Sequence, residues 1–238
     1  MFSTIPLHEF RVLLLDMNST FMFGEDRFGG SEDFGATYRA VGGRTLRSSE
    51  VNRAIRAAFA FLEERYVDPT YEDNFSSLAE AFTAAAGIHA ESELALLVAT
   101  FSRHECGVVP PEYAAALRAL SATHELRLLT NIWAPKAAWI EELARCEVLP
   151  LFRRAVFSSD SRSVKPSLRL VREVLDGISC EARLVLMIGD SIQRDLVAGR
   201  RAGLTTAWVA PAAEVPPEAV DLADYHVPSL LALAGHHI

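Results

Sequence analysis

Short apolar runs recur along the chain, and each is followed by a stretch whose apolar residues repeat at helical spacing. The runs are RVLLL (11–15), LRLLT (126–130), RAVFS (154–158), LVLMI (184–188) and TTAWV (205–209). They are apolar without strict alternation, which predicts strands buried on both faces of a parallel sheet. Between them lie PPEYAAALRAL (110–120), APKAAWIEELAR (134–145), KPSLRLVREVL (165–175) and SIQRDLVAGRRAG (191–203), each patterned as a helix. Strand and helix in repeated alternation predict an α/β fold with a doubly wound parallel sheet. Sheets of that kind place their sites beyond the carboxyl ends of the strands.

The stretch from Gly24 to Cys106 breaks the pattern. It holds SSEVNRAIRAAFAFLEERY (48–66), NFSSLAEAFTAAAG (74–87) and ESELALLVATFSRH (91–104), all at helical spacing and with almost no strand-like run. Ser48 or Ser49 can cap the first helix, and Asp73 or Asn74 the second. VDPTYED (67–73) reads as a loop in which Pro69 stops the long helix. The expected organisation is an α/β core from residues 1–23 and 106–238, with an all-helical insert at 24–105. Its crossings fall near Gly24 and Cys106–Gly107. No internal repeat or low-complexity segment is present.

Composition narrows the function classes. The chain has 238 residues, and half are hydrophobic, enough for a sizeable core. Its 31 acidic against 23 basic residues give a net charge of −8, and no basic run is present. That argues against nucleic-acid binding, which needs a basic surface. Three widely spaced cysteines, Cys106, Cys146 and Cys180, build neither a disulfide framework nor a zinc site. The opening MFSTIPLHEFRVLLLD lacks the features of a secretory signal, and VLLL is too short to span a bilayer. The expectation is a cytoplasmic protein without a membrane, present as a monomer or homodimer, whose partner is a small molecule.

Four stretches at or beyond strand ends carry chemically useful groups. Asp16 follows the first strand, and Thr130 with Asn131 closes the second. Lys165 precedes a helix whose expected first residue is Pro166. Asp190 follows the fourth strand, with Asp195 a turn and a half beyond. In a parallel sheet these ends converge on one crevice.

In order and spacing, the four stretches resemble the four motifs of the haloacid dehalogenase-like (HAD) hydrolase superfamily. The helical insert lies where that family carries a cap of the first type. The resemblance covers nearly the whole chain. It implies that Asp16 is the nucleophile and a magnesium ligand, and that the Asn18 carbonyl is a second ligand. It further implies that Thr130 and Asn131 hold the transferring group and that Lys165 neutralises the carboxylates. Asp190 would complete the metal shell, with Asp195 supporting it. The chemistry of the residues agrees, since magnesium takes hard oxygen ligands and a cation lets crowded carboxylates ionise together.

Asn18 departs from the family pattern. Phosphatases of the family usually carry a second Asp there, which protonates the leaving group. An amide donates a hydrogen bond but has no titratable proton. Three consequences follow: a substrate with a good leaving group, a replacement acid from the insert (His104, Glu25 or Asp26), or a reaction other than phosphoester hydrolysis. The expected activity is magnesium-dependent hydrolysis of a small organic phosphate through an aspartyl-phosphate on Asp16. The alternatives are 2-haloacid dehalogenation and non-catalytic phosphate binding. The dehalogenase branch typically has an aromatic residue where Asn18 stands and an amide in place of Asp190. The phosphonatase branch needs a cap lysine, and residues 24–105 contain none. Within the insert, Arg27, Arg39, Arg44 and His104 are candidates to reach a substrate. Arg194 and Arg200 read as solvated or structural.

Overall fold

The computed structural model describes residues 5–211 and 216–235. The chain opens on β1 (Val12–Leu15) and then runs through four helices, α1 (Phe34–Ala40), α2 (Ser48–Val67), α3 (Leu78–Ala86) and α4 (Glu91–Glu105). It continues as α5 (Pro111–Ser121), β2 (Glu125–Thr130), α6 (Ala137–Arg145), β3 (Phe152–Phe157), α7 (Leu168–Leu175) and β4 (Val185–Gly189). A π-helical turn, Ile192–Leu196, leads into α8 (Val197–Arg201). Then follow β5 (Thr205–Val209), α9 (Pro217–Val220), β6 (Tyr225–Val227) and α10 (Leu231–Ala234). The terminal His236 and His237 lie outside the described residues.

All six strands are parallel, in the order β3-β2-β1-β4-β5-β6. The order reverses at β1, which pairs with β2 on one side and β4 on the other. This is the doubly wound sheet that the apolar runs predict. Alternate side chains of the strands face opposite layers. Leu13, Leu15, Leu126, Leu128 and Ile188 join α5 and α6 in one core cluster. Leu14, Leu129, Val156 and Met187 join α7 and α8 in the other. Leu13, Leu14 and Leu15 are all fully buried, each adding about 1.5–3 kcal/mol. A charge at any of them would break the sheet before it touched the site.

The chain leaves the sheet at Phe23 and returns at Val108, and the two crossings pair with each other. Phe23 N–H donates to the Val108 carbonyl, and Val108 N–H to that of Phe23, both at 2.9 Å. Gly107 is needed there, because a Cβ would stand 2.7 Å from the Phe23 carbonyl oxygen. Arg27 reinforces the crossing by donating to the carbonyls of Gly24, Arg103 and Cys106.

Several local expectations are corrected. Arg47 is the N-cap of α2, with Ser48 already inside the helix; its N–H donates to Glu50 at 2.8 Å. The N-cap of α3 is Ser77, in a capping box with Glu80. Asp73 instead accepts the hydroxyls of Ser163 and Ser167, and so ties the insert to the Lys165 loop. Pro166 precedes α7, which starts at Leu168 with Ser167 as its cap. Among the described residues no single helix is long and apolar enough to cross a membrane. The pair α3 and α4 passes on composition, but it is bent by 112°, and Phe82, Leu97 and Phe101 from it are fully buried in the core.

Candidate active site

β1 and β4 run in register, with Leu15 opposite Ile188, so the residues that follow them emerge side by side. Asp16 N–H donates to the Ile188 carbonyl at 2.9 Å, which fixes the first carboxylate at the sheet's switch point. Beyond it the chain turns tightly, and the Met17 carbonyl accepts from the N–H groups of Thr20, Phe21 and Met22. Among the described residues no hydrogen bond occupies the Asn18 carbonyl.

On the other side, the π-helical turn delivers Asp195 back against the strand end. Extra residues in a helical turn of this kind are common at functional sites. The approach needs a glycine, because a Cβ on Gly189 would lie 2.3 Å from the Asp195 carboxylate. Asp195 is fully buried, and its Oδ2 accepts from Ser191 N–H at 3.0 Å.

Lys165 sits between the two sides with 2% of its surface exposed. Its ammonium donates to Asp16 Oδ1 at 2.5 Å and to Asp195 Oδ1 at 2.6 Å. Burial works against the charged ammonium, but the Asp16 and Asp195 carboxylates outweigh it and hold its pKa above the usual lysine value. The Lys165 backbone is gripped in turn: Asn131 Oδ1 accepts its N–H at 2.9 Å, and Arg194 donates to its carbonyl at 2.9 Å. The Asn131 amide also donates to the Tyr66 hydroxyl at 2.7 Å.

Asp16, Asp190 and Asp195 each offer an oxygen within 4.8 Å of the others. Burial first, then the Asp16 charge, pushes both Asp190 and Asp195 above the ordinary carboxylate range, and Lys165 opposes the shift. One ammonium therefore does not neutralise three carboxylates. The donors are all hard oxygens, a set that suits magnesium, and Asn18 lines the same cleft. Thr130 Oγ is buried without a hydrogen-bond partner, as is Asn18 Oδ1. Orphaned groups of this kind cost about 1–3 kcal/mol each unless a ligand satisfies them.

Asp16, Asn18, Asn131, Lys165, Asp190 and Asp195 line a cleft of about 400 Å³, whereas Thr130, expected to hold the transferring group, is fully buried at the end of β2 and is not part of the lining. The cleft's far wall comes from the insert and the β2–α6 loop, with Glu25, Asp26, Phe59, Glu63, Tyr66 and Trp133. Of the insert residues predicted to reach a substrate or supply an acid, Glu25 and Asp26 line the cleft. The others do not. His104 contacts Thr37 and the Arg27 carbonyl, Arg39 contacts Ser48, and Arg44 is not part of the lining. Arg194 is structural: it donates to the Tyr66 carbonyl and stacks 3.8 Å from the Tyr66 ring centroid. Arg200 is exposed and pairs with Asp224 at 2.9 Å.

The sequence reading missed Glu105, which is 3% exposed and lines the cleft from the end of α4. Its carboxyl accepts the N–H groups of Trp133 at 2.5 Å and Ala134 at 2.8 Å. Ser158 holds the adjacent Ile132 N–H at 3.0 Å, so three successive amides after β2 are pinned. Burial holds the Glu105 carboxyl up at about 8; the two N–H groups oppose the shift, and the Asp26 charge adds to it. The folded protein thus keeps this proton to higher pH than the unfolded chain, where the group titrates near ~4.3. The stability it contributes is complete below that value and is lost as pH rises toward about 8. Between pH 5 and 7, wild type should lose about 2 kcal/mol relative to Glu105→Gln in urea denaturation. A pH-independent difference would show that Glu105 is ionised throughout.

A family model described as HAD-hydrolase-like matches residues 164–233, the segment that carries Lys165, Asp190 and Asp195. That segment is similar to the haloacid dehalogenase-like (HAD) hydrolases. A comparison with curated proteins finds no match. Solved structures with the same fold include a 2-haloacid dehalogenase from Pseudomonas syringae pv. Tomato DC3000, 20% identical, covering 95% of this chain and 97% of that one with a TM-score of 0.64. A HAD phosphatase from Thermococcus onnurineus is 19% identical, with coverage of 95% and 97% and a TM-score of 0.63. YfnB from Bacillus subtilis, in a magnesium-bound structure, is 19% identical, with coverage of 96% and 99% and a TM-score of 0.59. At such identities the likeness establishes the HAD fold, and phosphatase and dehalogenase stand equally near.

Proposed function

We propose that this protein is a magnesium-dependent hydrolase of small organic phosphates, with Asp16 as nucleophile and residues 24–105 as a cap over the site. The observation that carries the reading is Asp190, a third carboxyl beside Asp16 and Asp195. Dehalogenation needs a nucleophile and a lysine but gains nothing from a further negative charge. A phosphoryl dianion brought to a carboxylate needs a cation, and Asp16, Asp190 and the Asn18 carbonyl would hold one. Bound there, magnesium would stabilise the charge on the transferring group.

An Asp16 oxygen attacks phosphorus, and the bond from phosphorus to the leaving oxygen breaks. That oxygen keeps the electron pair and takes a proton from solvent. Water then attacks phosphorus, the bond to Asp16 breaks, and phosphate departs with the carboxylate restored. Lys165 pairs with Asp16 and aims it, and Asp195 holds Lys165. Thr130 donates its unpartnered hydroxyl to a phosphoryl oxygen, and Asn131 positions the Lys165 loop. Asn18 gives the leaving oxygen a hydrogen bond at most, so the enzyme favours leaving groups of low basicity.

Steady-state phosphate release from acyl, aryl and alkyl phosphates with magnesium tests the reading. Turnover should be fastest on acyl and aryl phosphates. Halide release from 2-haloacids without phosphate release from any ester would replace this reading with dehalogenation. Asn18→Asp should speed alkyl ester hydrolysis by about 10²-fold, the low end of general acid catalysis, and change acyl phosphate hydrolysis little. Equal effects on both would mean that Asn18 is not at the leaving-group position. Intact mass must accompany these assays, since deamidation at Asn18–Ser19 would create the same Asp.

A further inference from the structure

We propose that the substrate's leaving group carries a positive charge, as an ammonium-bearing alcohol seated against Glu25, Asp26, Glu63 and the rings of Phe59, Tyr66 and Trp133. This rests on the phosphatase reading and names its substrate class. The far wall of the cleft is acidic although the floor already holds three carboxylates. The two cations that line the cleft, Lys165 and Arg194, are committed elsewhere. Lys165 serves Asp16 and Asp195, and Arg194 serves two backbone carbonyls and the Tyr66 ring. A magnesium ion on Asp16 and Asp190 would offset the floor and leave the wall unbalanced.

Among the described residues, no cation other than Lys165 and Arg194 lines the cleft to balance this wall. Glu25 accepts the Ser19 hydroxyl through Oε1 at 2.7 Å, while its Oε2 is buried without a partner. Asp26 follows Glu25 in the same lining and is exposed. Arg27 spends its guanidinium on the crossing carbonyls. Glu63 is exposed and forms no ion pair among the described residues. The rings of Phe59, Tyr66 and Trp133 line the same cleft as these carboxylates, with Trp133 centred 5.3 Å from Phe59 and 5.6 Å from Tyr66. Carboxylates and ring faces together favour a cation and repel a second anion. An ammonium near the leaving oxygen also lowers that oxygen's basicity, which suits a site with Asn18 in place of an acid.

The test compares 2-aminoethyl, n-propyl and 2-carboxyethyl phosphate with magnesium at pH 7. The readout is kcat/KM where an ester turns over, and otherwise its inhibition of acetyl phosphate hydrolysis. The aminoethyl ester should lead the propyl ester by about tenfold, and the carboxyethyl ester should trail it by as much. Both gaps should narrow in 0.5 M salt, as charge-based discrimination does. Asp26→Asn and Glu63→Gln should each lower the aminoethyl-to-propyl ratio three- to tenfold, mainly through KM. Equal values for the three esters, or a preference for the carboxyethyl ester, would overturn the proposal. Failure of the phosphatase reading looks different: acetyl phosphate would not be hydrolysed at all, and calorimetric binding of the same three esters would still judge the wall.

Discussion

Asp16→Asn protein is expected to release no measurable phosphate, a fall on the order of 10⁴-fold or more, as when other covalent nucleophiles are removed. The substitution keeps the shape of a residue that is 5% exposed, so the effect is chemical. An amide cannot form the acyl-phosphate bond at phosphorus, and hydrogen bonds from Thr130 and Lys165 cannot replace a nucleophile. The variant should stay folded. Lys165 keeps Asp195 as a partner at 2.6 Å, and Asp190 and Asp195 are freed of a charge that holds both above their ordinary range. Thermal unfolding without metal should therefore occur at or above the wild-type temperature. The rise in melting temperature on adding magnesium should shrink, because a ligand stabilises only as far as it binds the folded state. Turnover within tenfold of wild type would show that the Asp16 carboxylate is not the nucleophile. A full magnesium response in the variant would show that Asp16 is not a metal ligand.

The groups at the centre of the site were legible because they stand where apolar runs end. Asp16, Thr130 and Asp190 each close a buried strand, and a parallel sheet delivers all three to one edge. Lys165 was legible only through its place in the motif order, since nothing local distinguishes it from a solvated lysine. The supporting residues were not legible for a physical reason. Tyr66 meets Asn131 across 65 positions, and Glu105 meets Trp133 across 28, so no window of sequence contains either contact. Asp73 illustrates the same limit: its side chain could cap a helix locally, but the Ser163 and Ser167 hydroxyls win it. The Ser77-x-x-Glu80 box, by contrast, is a local pattern that the sequence carries in full, and it caps α3 where Asp73 or Asn74 is expected. Several elements are too short for periodicity to show, β6 and α1 among them. β6 has three residues at the sheet edge, and α1 has seven, packed so closely on α2 that a Cβ on Gly35 would lie 2.5 Å from that of Ser48.

Lys165→Met should unfold at lower urea concentration, with a loss of about 3–5 kcal/mol, the range for breaking a buried ion pair on one side. Two effects compete. Removing the ammonium recovers its own desolvation, which favours the variant. It also leaves Asp16 and Asp195, 5% and 0% exposed, facing each other and Asp190 without a cation. The second effect wins because a buried pair left half-made costs more than the pair contributes when whole. The sign of the pH dependence separates this account from simple loss of packing. Lys165 opposes the rise of Asp195 to about 6 and of Asp190 to about 8, so without it both titrate higher still in the folded protein; the charge part of the variant's deficit grows as pH rises through those values and vanishes as pH falls below about 6. A packing defect would be the same at every pH. Magnesium should narrow the deficit, because a second cation can take over the Asp16 charge. It should not restore turnover, expected to fall about 10³-fold, since aligned electrostatic groups of this kind are worth about 10²–10³ each and Asp195 alone cannot aim Asp16. A deficit that neither acid nor magnesium reduces would mean that Lys165 holds the site by its bulk and not by its charge.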